Sequence, residues 1–317
     1  MEMKNKTWNF QKLLKQKNSV IPFVGLVLAI ILFQVTSGGR LLSQRNSIVL
    51  LNEVFNVIIG ASGVLFLMSQ GNLDFSMGAI VGMAGAVAAN ASNTNMAMTL
   101  PVALLIGIIC GAINGIISAG FGVPSFIATL GMSFVLKGIT VMMLNAGSIG
   151  IPFELSSFDT VPIRFTTMIL VLMITYIIFT YTKLGKQSCA VGSQSTVAKQ
   201  AGVNVFWVRM FGFMISGFAC GLIGFFSIIR GCTASTTTGS GFEIDVLNAM
   251  MVGGMAITGG WNSKFRYVII GSLLMAVVSD GLTLWGIDLF TQQLIKGCIF
   301  IIAVALSFDR KNVAVIK

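Results

Sequence analysis

Apolar runs of about twenty residues recur from one end of this chain to the other. About twenty helical residues is the length needed to cross a hydrocarbon core roughly 30 Å thick. Ten such runs are marked off by glycine, proline and polar breakers, at roughly 20–35, 48–69, 73–90, 98–119, 124–144, 164–182, 207–230, 243–259, 266–285 and 290–308. Composition agrees: only 9% of residues are charged and 55% are hydrophobic, with a mean hydropathy of +0.91. A soluble domain carries about 25% charged residues, so this chain cannot clothe itself for water. In lipid every backbone polar group must be satisfied internally, and a barrel would need short alternating strands. The expected fold is therefore all-α: a polytopic transmembrane helical bundle of about ten spans, one domain over 1–317.

The formal charge of +10 could signal a nucleic-acid partner, but the basic residues sit at the ends of apolar runs and form no single patch. They read as the positive-inside bias of a membrane protein. With the tail bearing Lys4, Lys6, Lys12, Lys15 and Lys17 inside, the same side receives Lys183, Lys186, Lys199, Arg209, Lys264, Arg266, Arg310, Lys311 and Lys317. Arg40, Arg45, Arg164 and Arg230 fall outside, while Lys137 and Lys296 fall within spans. That places both termini in the cytoplasm and makes the span count even. The first run has a basic leader, yet no A-x-A site follows it and Gln34 to Arg40 is a poor cleavage context, so it is read as a retained span.

Enzyme chemistry is poorly supplied. The chain has no histidine, and its five cysteines (Cys110, Cys189, Cys220, Cys232, Cys298) lack metal-ligand spacing. No nucleophile–base set is visible, no phosphate-binding G-x-x-x-x-G-K-[ST] loop occurs, and no cofactor is called for. Attention falls instead on ionisable groups placed where lipid makes them expensive, about 2.5–3.5 kcal/mol each on insertion scales. Asp74 opens the third run, Glu243 and Asp245 open the eighth, Lys137 lies in the fifth, and Asp280 and Lys296 lie in the last two. The acids can cap helix N-termini, line a polar path, or do both. The lysines can snorkel or pair across the bundle. The third and eighth runs, glycine-rich and flanked by acids, also suit half-helices.

A weak internal repeat runs through the same residues. Leu73-Asp74 with Val81-Gly82 matches Ile244-Asp245 with Val252-Gly253 at equal offsets, and Lys137-Gly138 and Lys296-Gly297 follow some distance on. This delimits pseudo-repeat halves of about 48–145 and 207–308, an arrangement common among transporters. Glycines four apart (Gly107, Gly111, Gly115; Gly78, Gly82; Gly217, Gly221) make small helix faces that allow close packing, within the chain or between copies. Asn114, Ser125 and Thr129 supply uncharged hydrogen-bonding groups, for a solute path or as glue between helices. The polar connection on the inner side runs from Lys183 to Phe206, and an outer one from Asn145 to Pro162.

Four blocks, in order and in register, carry a resemblance: QGNLDFSMGAIVGMAGAVAA (Gln70 to Ala89), GAINGIISAGFGVPSFIATLGMSFVLKGIT (Gly111 to Thr140), KLGKQSCAVGSQSTVAKQAGV (Lys183 to Val203) and TTGSGFEIDVLNAMMVGGMAITGG (Thr237 to Gly260). Together the chain resembles the ribose-type permease subunits of bacterial ABC importers. The resemblance implies a multi-pass protein of the bacterial inner membrane that forms a path for a small polar solute, most simply a monosaccharide. It implies a second permease subunit, identical or a sister chain, cytoplasmic ATPase subunits that hydrolyse ATP in its stead, and an extracytoplasmic solute-binding protein. Nucleosides or autoinducer-2 are alternative solutes in related systems, and a secondary transporter driven by an ion gradient is the reading from a different class, with Asp74, Asp245 and Asp280 as ion ligands. The resemblance further implies that 183–206 is the loop coupled to the ATPase, with Gly185, Lys186, Gly192, Ser195, Lys199 and Gly202 as its candidate residues. Its lysines suit an acidic partner surface or anionic lipid equally well. The candidate path or helix-end residues are Asp74, Asn114, Ser125, Thr129, Lys137, Glu243 and Asp245. Three positions depart from the family pattern: Ser195 where an acid often begins the small helix, Lys137 for an arginine, and Trp261 where a small residue is common.

Overall fold

A computed structural model describes residues 22–307. The basic tail and the C-terminal Arg310, Lys311 and Lys317, on which much of the orientation argument rests, lie outside the described residues. Each apolar run has a helix of its own: α1 Pro22–Thr36, α2 Gln44–Ser69, α3 Met77–Thr94, α4 Thr99–Gly115, α5 Ser125–Met143, α6 Val161–Tyr181, α9 Val205–Gly231, α10 Phe242–Val252, α11 Arg266–Leu284 and α12 Leu289–Ser307. The polar connection folds into two short helices, α7 Lys183–Ser193 and α8 Ser195–Gln200. Among the described residues, six helical stretches are long and apolar enough to cross a membrane: α2, α4 with its flanking turns, α5, α6, α9 and α11. The chain is a multi-pass membrane protein.

The helices begin and end for local reasons. Ser43 caps α2, accepting from the Asn46 amide, and Asp288 caps α12, accepting from the amides of Phe290 and Thr291. The Thr291 hydroxyl donates to the same carboxyl and holds it below the usual carboxylate range. The 27-residue α9, about 40 Å long at 1.5 Å per residue, is the central post. α4 lies antiparallel to it through the glycine faces: a Cβ on Gly107 would stand 2.2 Å from the Gly217 carbonyl, and one on Gly221 2.4 Å from that of Ala103. The small-residue faces thus meet one another inside the chain. α2 packs antiparallel on another side of α9, its Gly63 against Ala219 and its Leu67 beside Gly212.

The ends of the bundle differ. One carries α7 and α8. At the other, β1 Ser148–Gly150 pairs antiparallel with β2 Thr233–Ser235, Ile149 opposite Ala234. This two-stranded strap departs from the all-α expectation. Three residues a side had no period to reveal them, and their pairing joins loops more than 80 residues apart. The eighth run also differs from a full span. α10 has eleven residues, about 16 Å, and begins in the middle of the bundle, with Phe242 and Val246 against Gly60 near the centre of α2.

Candidate functional site

The first cluster is built around the gap between α2 and α3. α2 ends in a Schellman turn at Gly71 (φ +76°), with the Gly71 amide on the Met68 carbonyl and the Asn72 amide on that of Leu67. The next residues run extended through the core, where bare amides are not tolerated. The Leu73 amide donates to Ser125 Oγ (3.2 Å) and the Phe75 amide to Thr129 Oγ1 (3.1 Å). The Ser76 amide and hydroxyl donate to Asp74 Oδ1 (2.9 and 2.6 Å), and Ser216 Oγ of α9 donates to Asp74 Oδ2 (3.0 Å). Asn114 Nδ2 closes the ring on Ser76 Oγ at 2.7 Å. Four candidate residues, Asp74, Asn114, Ser125 and Thr129, therefore converge on one stretch of unwound backbone. Asp74 is only 1% exposed. In this conformation the cluster joins α3, α4, α5 and α9 and does not present a carboxylate to a passage.

The second cluster gathers at the start of α10. Glu243 and Asp245 occupy its first turn after Gly241. Asp245 Oδ1 meets Lys296 Nζ of α12 at 2.8 Å, and Glu243 Oε1 meets Lys137 Nζ of α5 at 3.8 Å. Asn248, one turn further on, donates from Nδ2 to the Lys296 carbonyl at 2.8 Å. Beside the Lys296 pair lies a polar cavity of about 210 Å³, lined among others by Glu53, Asp245, Ser279, Asp280, Gln292 and Lys296. Asp280 is held by Asn46 Nδ2. Among the described residues, no three His, Cys, Asp or Glu are placed to hold a metal ion.

The third cluster is the α7–α8 end. Gly185 is buried, and a Cβ there would lie 1.9 Å from the Phe179 carbonyl. A Cβ on Gly192 would lie 2.0 Å from the Ser69 carbonyl and 2.8 Å from the Gly260 amide. Both glycines seat α7 on the bundle. Gln70 locks the seat by donating from Nε2 to Ser188 Oγ (3.1 Å) and the Val208 carbonyl (3.0 Å), and the Trp261 amide donates to Ser193 Oγ (3.1 Å). Gly202 (φ +84°) ends α8, its amide on Lys199 and the Val203 amide on Ala198. Lys186, Lys199 and Gly202 are exposed and Ser195 is half-buried. Ser195, Lys199, Gly202 and Arg209 line an open groove of about 670 Å³ between α8 and α9.

The family model described as the permease component of the branched-chain amino acid transport system matches residues 47–304, which takes in all three clusters. This chain belongs to that family. The permease is 29% identical to the Ribose import permease protein RbsC of Haemophilus influenzae, over 95% of this chain and 96% of the relative. It is 30% identical to the Fructose import permease protein FrcC of Rhizobium meliloti (96% and 89% covered) and 31% to the Galactose/methyl galactoside import permease protein MglC of Salmonella typhimurium (89% and 90%). No solved structure matches the chain.

Some residues on which the permease's clusters depend carry no signal in the sequence. Ser76 and Ser216 are ordinary serines until the fold brings them to Asp74. Gln70 lies in a conspicuous block, but its partners are 118 and 138 residues away. Arg164, counted by charge alone as an outer residue, is 2% exposed inside the first turn of α6. It pairs with Asp159, and its guanidinium lies 5.2 and 5.5 Å from the ring centres of Phe55 and Phe226.

Proposed function

We propose that this permease forms, with a second permease subunit, the path by which a monosaccharide enters a bacterial cell across the inner membrane, driven by ATP hydrolysis on separate ATPase subunits. The observation that carries the reading is the family match over 47–304 together with relatives named for ribose, fructose and galactose import. The chain is a permease component and not an enzyme, and the reading calls for no cofactor in it. Delivery belongs to an extracytoplasmic binding protein, which also holds most of the selectivity. The ion-gradient reading is not favoured, since the relatives are import permeases.

The finer arrangement extends this reading. Ten spans with both termini inside put α7 and α8 in the cytoplasm, where exposed Lys186 and Lys199 and the groove by Arg209 meet the ATPase. Acidic residues are absent from 183–242, so the face offered is cationic and suits carboxylates. Residues 48–145 and 207–308 are read as inverted halves, because α2 runs toward the α7–α8 end and α9 runs away from it. Lipid chains fill the apolar groove of about 490 Å³ between α2, α4, α6 and α9. Nucleic acid has no part.

The deciding experiment is purification from the native membrane followed by reconstitution. ATPase and binding-protein subunits should accompany the chain, and labelled sugar should enter liposomes only with ATP. Sugar uptake by the chain alone under an ion gradient would overturn the reading.

A further inference from the structure

Most helices in this bundle have their depth set by length, since a span longer or shorter than the hydrocarbon core is forced to tilt or to deform the bilayer. α10 has no such constraint: at eleven residues it covers about half of a 30 Å core. Its position must come from its contacts with neighbouring helices. At its C-terminal end it is pressed on α11, where a Cβ on Gly271 would lie 1.8 Å from the Ala249 carbonyl. At its start two lysines hold it. Lys296 is buried and, among the described residues, is the one cation lining the cavity of Glu53, Asp245 and Asp280. It meets Asp245 at 2.8 Å, while its own carbonyl takes the Asn248 amide. Two residues are about 200° of rotation on a helix, so Glu243 points away from Asp245, toward Lys137 on α5.

The geometry points to Lys296 as a positioning residue for transport. Through Asp245 and Asn248 it fixes the depth and rotation of the half-helix α10, and so aims Glu243 at Lys137. Lys137 is half-exposed, with a side-chain exposure of 49%, on a helix whose Phe134, Val135 and Met142 also lie open. The Glu243–Lys137 contact is therefore the loose grip and Lys296–Asp245 the firm one. The two grips join α5 to α12 across the start of α10. This inference rests on the permease reading above.

The test uses the complete transporter in proteoliposomes. Variants Lys296→Gln and Asp245→Asn are compared with the exchange Asp245→Lys with Lys296→Asp. Ile244→Cys, on the cavity wall, reports α10 position by maleimide labelling in a background without the native cysteines. Each single variant should lower uptake about tenfold or more, since an unpaired buried charge is strongly disfavoured. Labelling should rise in both, and the exchange should restore uptake and labelling together. Wild-type uptake and labelling in Lys296→Gln overturns the assignment, as does an exchange no better than the single variants. If the single variants do not insert, the neutral pair Lys296→Met with Asp245→Asn keeps the test alive: raised labelling supports the role and wild-type labelling refutes it. Should the unmodified transporter move no sugar, the functional reading fails, while labelling still decides the positioning claim.

Discussion

Asp74 shows how a costly residue can be structural. Its carboxyl accepts from the Ser76 amide and from the hydroxyls of Ser76 and Ser216. Hydrogen bonds to a charged or strongly polar partner contribute about 1.5–3 kcal/mol each, and orphaned buried donors are worse than absent ones. Asp74→Ala is therefore expected to lower the stability of the detergent-solubilised protein by about 2–4 kcal/mol, with Asp74→Asn milder because one amide oxygen still accepts. Thermal unfolding measures this, and an unchanged Tm for Asp74→Ala would remove the cluster's structural role. Arg164 behaves alike at the strand end. Arg164→Met, which leaves Asp159 without its cation, should destabilise more than the double change Arg164→Met with Asp159→Asn, because the lone half-buried charge and not the lost pair is the larger penalty.

At the scale of elements, the glycines separate into two kinds. Gly107 and Gly217 sit where α4 and α9 touch backbone to backbone, the built Cβ falling 2.2 and 2.1 Å from the facing carbonyl. Gly138 and Gly297, the partners of the span lysines, have nothing within 4 Å of an added Cβ. Gly107→Ala should force the two helices apart and lose about 1–3 kcal/mol. Gly138→Ala should be neutral or slightly stabilising, since alanine favours helix by up to about 1 kcal/mol over glycine. Equal effects at the two sites would show that helix contact is not what these glycines serve. Gly192 belongs to the first kind. A bulky side chain there lifts α7 from the turns at Ser69 and Gly260, so Gly192→Leu should uncouple ATP hydrolysis from uptake by unseating the segment, without any contact to the ATPase being lost directly.

For the molecule as a whole, the proposed orientation and ATPase partner are tested through charge. Lys186, Lys199 and Arg209 stand at the α7–α8 end, and Glu154 and Asp159 near the strand strap. Reporter tags placed in 183–206 and in 145–160 should be accessible from opposite sides of the membrane, the first from the cytoplasm. Lys199→Glu with Arg209→Glu should cut co-purification of the ATPase severalfold and make it worse at low salt, where like charges repel over a longer range. Co-purification that ignores both charges would move the docking surface elsewhere.

The membrane environment, the helical state and the approximate place of each apolar helix follow from the sequence alone, because backbone in lipid has few alternatives and apolar length is measured by the bilayer. The presence of something unusual at Asp74, at Glu243–Asp245 and in 183–206 follows as well, since a charge or a polar run in an apolar chain is conspicuous without coordinates. What each does was not legible. Asp74 is satisfied by serines 2 and 142 residues away, Asp245 by a lysine 51 positions on, and Gly192 faces inward because Ser69 and Gly260 happen to lie beneath it. Hydrogen bonds and ion pairs act over a few ångströms of space and are blind to separation along the chain. Only the packed bundle could decide which polar groups meet, and hence that one cluster braces an unwound stretch while another holds a half-helix in place.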